Sequence, residues 1–261
     1  MSGTSRHQLI LIPAAAVLLA LAVLAGCAAK NPYPNGTFER AMFFSDQGKD
    51  VEAASAFEAF IRQNPTDSLT AEAQYQKGMT YMDMAEYPLA AVEFQILRKD
   101  YPISDRVEDA LFEEGVAYLK QVGKTQRDIT GAYEARLHFL KFSQEYPNSP
   151  HMPQVTAYME EIANIMVSKR LEQVHVYQQL GRYEAVAITL DDVLIEEAGS
   201  SLIPEVLWER AEAAAKLDDP DTEARMYQRL ITEFPDTKNA KKASKALRSL
   251  NDEGEEEEED F

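Results

Sequence analysis

A pattern that returns along the chain constrains the fold more than any local propensity. Ala53, Phe57, Phe60 and Pro65 come back 37 residues later as Ala90, Phe94, Leu97 and Pro102, and again as Ala135, Phe139, Phe142 and Pro147. A further copy reads Tyr227, Leu230 and Pro235, with Glu223 at the alanine position, and a degenerate one reads Val186, Leu190 and Val193 without the proline. Upstream of each copy a second pattern repeats: Ala41 and Phe44, Gly78 and Tyr81, Gly115 and Tyr118. Apolar residues at i, i+4 and i+7 form one stripe on a helix. A proline ends the helix before it by restricting the preceding residue. A small residue such as Gly78 lets the aromatic of the second helix come close. Each unit is therefore a helical hairpin that cannot bury its stripe alone, so neighbours stack into a superhelix with a continuous core. The expected fold is all-α, an α-solenoid of about five hairpins.

Gly78, Tyr81, Ala90, Phe94 and Pro102 stand at the relative positions of the tetratricopeptide pattern, which these units resemble with a few residues more than the usual ~34 per repeat. The third unit departs from the period. From Gly115 to Phe139 there are 24 residues, against 16 from Gly78 to Phe94, an insertion of eight around "VGKTQRDIT". The fourth opens with a single helical pattern from Met152 to Leu180, roughly 44 Å if unbroken.

The N-terminus is of another kind. Arg6 and His7 precede sixteen uncharged residues, Leu9 to Leu24, and then Leu24-Ala25-Gly26-Cys27. A charged region followed by an apolar one reads as a leader. Its end resembles the lipobox of bacterial lipoproteins, in which the thiol is acylated and the precursor is cut just before it. The alternative is a retained anchor, since through Ala29 the run is about long enough to span a bilayer. Cys27 is the only cysteine, so once acylated it leaves no thiol for a disulfide. Ala28, rather than Asp, after the cysteine implies by the same resemblance the outer membrane, with the protein on its periplasmic face. The net charge of −18, or −19 once Arg6 leaves with the leader, disfavours nucleic acid and anionic membrane surfaces as partners. Membrane contact then falls to the acyl chains, at about 0.8 kcal/mol per buried methylene.

These readings divide the chain into a leader (1–26), a lipidated extended spacer carrying "NPYPN" (27–36), three repeats (37–150), a long helix with two more repeats (151–250), and an acidic tail (251–261). Lys238, Lys241, Lys242, Lys245 and Arg248 make a basic helix just ahead of the tail, whose like charges are expected to keep it disordered and solubilising, the alternatives being that it folds back on the basic helix or reaches a partner.

No catalytic constellation emerges. His138, His151 and His175 stand alone, without the spacing a metal site needs, and no phosphate loop or nucleophile elbow is present. The expectation is a protein that is not an enzyme and carries no cofactor apart from the covalent lipid on Cys27.

A repeat lipoprotein with this insertion, "YPNSP" at Tyr146 to Pro150, a long helix, and the cluster Tyr177, Gly181, Tyr183 and Ala187 resembles the BamD family of outer-membrane assembly lipoproteins, from Cys27 to about Leu250. The resemblance implies a non-catalytic subunit of the β-barrel assembly machinery. Repeats one to three would meet segments of unfolded outer-membrane proteins. The second half would hold the barrel-inserting subunit, with other assembly lipoproteins as further partners. Two features depart from the family: Thr189, where many members carry Arg, and "EEAGSS", where they carry a Tyr-Pro turn. Both lie in the partner-docking half. By the tetratricopeptide pattern the groove-lining positions are Phe38, Met42, Tyr75, Met79, Met82, Phe112 and Val116, an apolar, Met-rich surface able to repack around varied partners. It lacks the Lys and Arg of a carboxylate clamp. This groove is either open to extended aromatic-bearing segments or filled by another helix or the spacer. The alternative function is a periplasmic lipoprotein that coordinates cell-wall synthesis or envelope constriction.

Overall fold

The structure, a computed structural model, describes residues 31–123 and 128–259. Cys27, the leader and the core of the eight-residue insertion lie outside the described residues. Eleven helices and no strand make up the described chain: α1 (Phe38–Ser45), α2 (Asp50–Gln63), α3 (Thr70–Asp83), α4 (Tyr87–Asp100), α5 (Val107–Lys120), α6 (Thr130–Glu145), α7 (Met152–Gln179), α8 (Tyr183–Glu196), α9 (Ile203–Lys216), α10 (Pro220–Glu233) and α11 (Lys238–Glu259). Each packs mainly on its neighbours in sequence, as in a tetratricopeptide-like solenoid. Five hairpins run from α1 to α10, and α11 covers the open end of the last.

The hairpin turns share one geometry. Gly48, Ala85, Gly181 and Asp218 each stand two residues before a second helix with φ between 55 and 64°. In each turn the next amide donates five residues back, as Glu86 N does to Tyr81 O at 2.9 Å and Arg182 N to Tyr177 O at 2.9 Å. Left-handed backbone suits glycine, and Ala85 and Asp218 adopt it at a steric cost. In the third hairpin, where the insertion falls, Asp128 stands two residues before α6 without this conformation. There α6 enters so close to α5 that a Cβ on Gly131 would sit 2.4 Å from the Tyr118 carbonyl oxygen.

The ends of the second helices repeat as well. Asn64, Tyr101, Tyr146 and Phe234 each donate a last helical hydrogen bond to the residue four back, and a proline follows each. Glu197 closes α8 in the same way, on Val193, with Ala198 where the proline would be.

Between the two helices of a hairpin the core depends on size matching. A Cβ on Gly78 would lie 2.6 Å from the Phe94 ring, and one on Gly115 would lie 2.8 Å from the Phe139 ring. Both rings are fully buried. Helix α7 has 28 residues and is about 42 Å long, and it belongs to two cores. Val155, Ile162, Ile165 and Met166 join the core of the third hairpin, whereas Val167, Leu171 and Val174 join Val186, Leu190 and Val193 of α8. The changeover falls between two consecutive residues.

At the C-terminus the helix continues through the basic residues and into the acidic run as far as Glu259, where the sequence reading expected disorder. Glu is a good helix former, and a helix already nucleated by packing can propagate into such a run.

Candidate functional site

The predicted groove residues fall into three settings. Phe38 packs on Phe57 and Phe60, with ring centroids 6.0 and 5.7 Å away, and Met42 lies against the same first core. Tyr75, Met79 and Met82 are half-buried against the second core, where the Tyr75 ring stands 5.7 Å from Phe94. Phe112 and Val116 are buried. Phe112 is covered by the start of α7, with the His151 ring stacked on it at 4.3 Å and Tyr158 at 6.1 Å. Along α3 the surface stays partly open; along α5 it is roofed by α7.

The Tyr75 face carries a cation that sequence reasoning missed. The Arg106 guanidinium sits 4.8 Å above the ring, held by Glu72 at 2.5 Å and by Asp109 at 2.8 Å. Burial, then the carboxylates of Glu113 and Asp109, push the Tyr75 hydroxyl far above its usual range. Arg106 opens the first turn after "YPISD", the loop equivalent to "NPTDS" one repeat earlier, and the two loops flank a cleft of about 840 Å³ that exposes Ile103 almost completely.

Ion pairs tie successive hairpins together. Lys77 bridges Glu58 of the preceding hairpin and Glu93 of its own, the latter at 3.0 Å, while Gln74 also bonds Glu93. Arg210 binds Asp191 of the preceding hairpin at 2.8 and 3.2 Å with the same 19-residue offset. In the third hairpin the sign is reversed. Glu114, fully buried, takes Arg98 from the second hairpin, and its other oxygen lies 3.6 Å from His138 with no hydrogen bond. Burial raises the Glu114 carboxyl against the pull of Arg98. Burial, then Arg98 and Lys141, depress His138 to about 4, which leaves the imidazole neutral at pH 7 despite the nearby carboxylate.

The two departures from the family pattern have structural accounts. Thr189 is buried, and its hydroxyl donates to Ala185 O at 2.8 Å. The "EEAGSS" turn is clasped from the third hairpin and from the first helix of its own. Arg136 of α6 donates to both oxygens of Glu197 at 2.9 and 2.5 Å, and Asn164 of α7 accepts from Ser200 Oγ at 2.6 Å and Ser201 N at 2.9 Å. Side chains thus hold a turn that elsewhere in the chain a proline helps to set. The clasp also joins the third hairpin to the fourth directly.

Among the described residues no cluster of His, Cys, Asp and Glu could hold a metal, and no helix is long and apolar enough to cross a membrane. The YfiO family model, described as outer membrane lipoprotein, matches residues 31–227. The chain belongs to this family, which is the BamD family. No curated protein matches it. The BamD family consists of non-catalytic lipoprotein scaffolds with a role in outer-membrane assembly. The match covers all five hairpins up to Tyr227, the aligned Thr189 and "EEAGSS" positions included.

Proposed function

We propose that this chain is a lipid-anchored, non-catalytic scaffold of the β-barrel assembly machinery at the periplasmic face of the outer membrane, tethered by acyl chains on Cys27 and needing no other cofactor. The first three hairpins receive segments of unfolded barrel proteins, and α7 to α11 hold the barrel-inserting subunit and neighbouring lipoproteins. The observation that carries this reading is the BamD-family match across a solenoid whose α3 face presents Met79 and Met82 half-buried beside a Tyr75 ring that lies under the Arg106 guanidinium. Such a surface gains affinity by covering aromatic side chains of an extended segment, and the two methionines adapt to their shapes. The Phe112 and Val116 stretch on α5 is roofed by α7, so the receptive part of the groove is the one formed by α1 and α3.

Two measurements test the reading. Purification from detergent-solubilised envelope should bring down a large barrel protein with periplasmic domains; recovery of cell-wall synthases in its place would support the envelope-coordinator alternative. Replacing Tyr75 and Met79 with Ala should weaken binding of barrel-derived peptides at least several-fold, and unchanged affinity would remove the groove from the account.

A further inference from the structure

The solvent face of α6 differs from its counterparts in the other hairpins. Tyr133, Leu137 and Leu140, at i, i+4 and i+7, are 52, 61 and 44% exposed and form one apolar stripe. At the same repeat register α2 carries Val51, Ser55 and Glu58, α4 carries Pro88, Val92 and Gln95, α8 carries Glu184, Ile188 and Asp191, and α10 carries Asp221, Arg225 and Gln228. Hairpin stacking therefore does not require apolar residues at these positions, and each of the other helices places at least one polar or charged residue there. The stripe runs into a cleft of about 480 Å³ between α6, α7 and the α8–α9 turn, lined by Leu140, Met159 and Ala163. Glu160 and Glu196 stand exposed at its rim, Glu196 with one oxygen 3.7 Å from the exposed Arg170 guanidinium. Arg136, the cation lining it, is tied up by Glu197, and Lys141 beside the stripe reaches Glu145 at 3.7 Å.

We propose that this stripe and cleft form a docking surface for a basic amphipathic segment of another protein, its apolar side chains on Leu137, Leu140 and Met159 and its Lys or Arg residues facing Glu160 and Glu196. Charge selects the occupant. An apolar floor with an acidic rim on a chain of net charge −18 favours a cationic partner. The same charge opposes a second copy of this chain and its own acidic C-terminal run. Because the outer face of α6 lies apart from the Tyr75 and Met79 surface, the inference goes beyond the barrel-segment reading and stands or falls separately from it.

The test uses the chain after Cys27, Ala28–Phe261, and a fluorescent 18-residue helical peptide with Leu on one face and Lys on the other. A twin peptide carries Glu in place of Lys. The Lys peptide should bind with an affinity that falls as salt is added, and the Glu twin should not bind. Leu137→Ser with Leu140→Ser should weaken binding at least ten-fold, while Val92→Ser, at the same register on α4, should leave it unchanged. These positions face solvent, so helical circular dichroism should be retained; Tyr133→Ser provides a second variant, expected to weaken binding several-fold. Equal binding by the double variant, equal loss in Val92→Ser, or tight binding of the Glu twin would overturn the proposal. So would a dimer of the unliganded chain, in sedimentation, that the double variant disperses.

Discussion

In the first three hairpins a small residue, Ala41, Gly78 or Gly115, shares its register with a buried phenylalanine, Phe57, Phe94 or Phe139; in the fourth, Val174 stands with Leu190, and in the fifth, Ala211 with Tyr227. As the first-helix residue grows from Gly to Val, the second-helix residue shrinks from Phe to Leu. The space between the helices is roughly conserved while the residues filling it are not, as close packing requires. The second and third hairpins thus rely on an aromatic ring lying against bare backbone, and the fourth relies on two aliphatic side chains. A family pattern written in Gly and Phe therefore fades in the fourth hairpin although the geometry persists.

Volume exchange is the sharpest way to break this comparison. Gly78→Val should destabilise by about 3 kcal/mol, because a Cβ there already collides with Phe94. Adding Phe94→Leu, which copies the fourth hairpin, should recover a good part of that loss in urea unfolding. If the double variant is as unstable as the sum of its single changes, size matching is not what relates the hairpins.

The ionic contacts give the next largest effect. Arg98→Ala strands the fully buried Glu114 and should cost about 3 kcal/mol, whereas Arg210→Ala leaves the half-exposed Asp191 in water and should cost about 1 kcal/mol. Equal losses would show that burial of the acid does not set the difference.

Acid should also separate the halves. Because His138 is held near 4, the folded chain binds fewer protons at this site than the unfolded chain between pH 6.5 and 4. Stability is full above this window and falls as pH drops through it, by up to about 3 kcal/mol. The raised Glu114 carboxyl works in the opposite direction and returns part of this as it protonates. His138→Phe should flatten the decline in melting temperature from pH 7 to 4.5; an unchanged slope would remove His138 as its source.

A smaller gain is expected at the turns. Ala85→Gly should stabilise by about 0.5 to 1 kcal/mol, since glycine reaches φ near +58° without steric cost. Gly48 and Gly181 stand at the equivalent position in two other turns, so a loss of stability at Ala85 would show that the turns are not equivalent.

The hairpins were legible in the sequence because a stripe at helical spacing and a terminating proline are local facts, each visible within 37 residues. The length of α7 was legible for the same reason. The clasp was not: Arg136 and Glu197 are 61 residues apart and belong to different repeats, so no window that shows one shows the other. That another helix could fill the groove was an open alternative in the sequence, but which part is covered was not legible, because His151 and Tyr158, which roof Phe112, stand at the start of the helix that departs from the repeat. Turn geometry was not read from the sequence: two of the four turns place glycine, Gly48 and Gly181, at the left-handed position, but Ala85 and Asp218 take the same backbone conformation, so no shared residue marks it.

Helix α7 acts as a shared axle whose two ends lie in different cores. One residue added near Met166 would turn everything beyond it by about 100° and advance it by only 1.5 Å, whereas seven residues would nearly restore the angle and carry the far hairpins about 10 Å away. Either change would pull Glu197 out of reach of Arg136. The relative aim of the two halves is therefore set by counting residues along one rod.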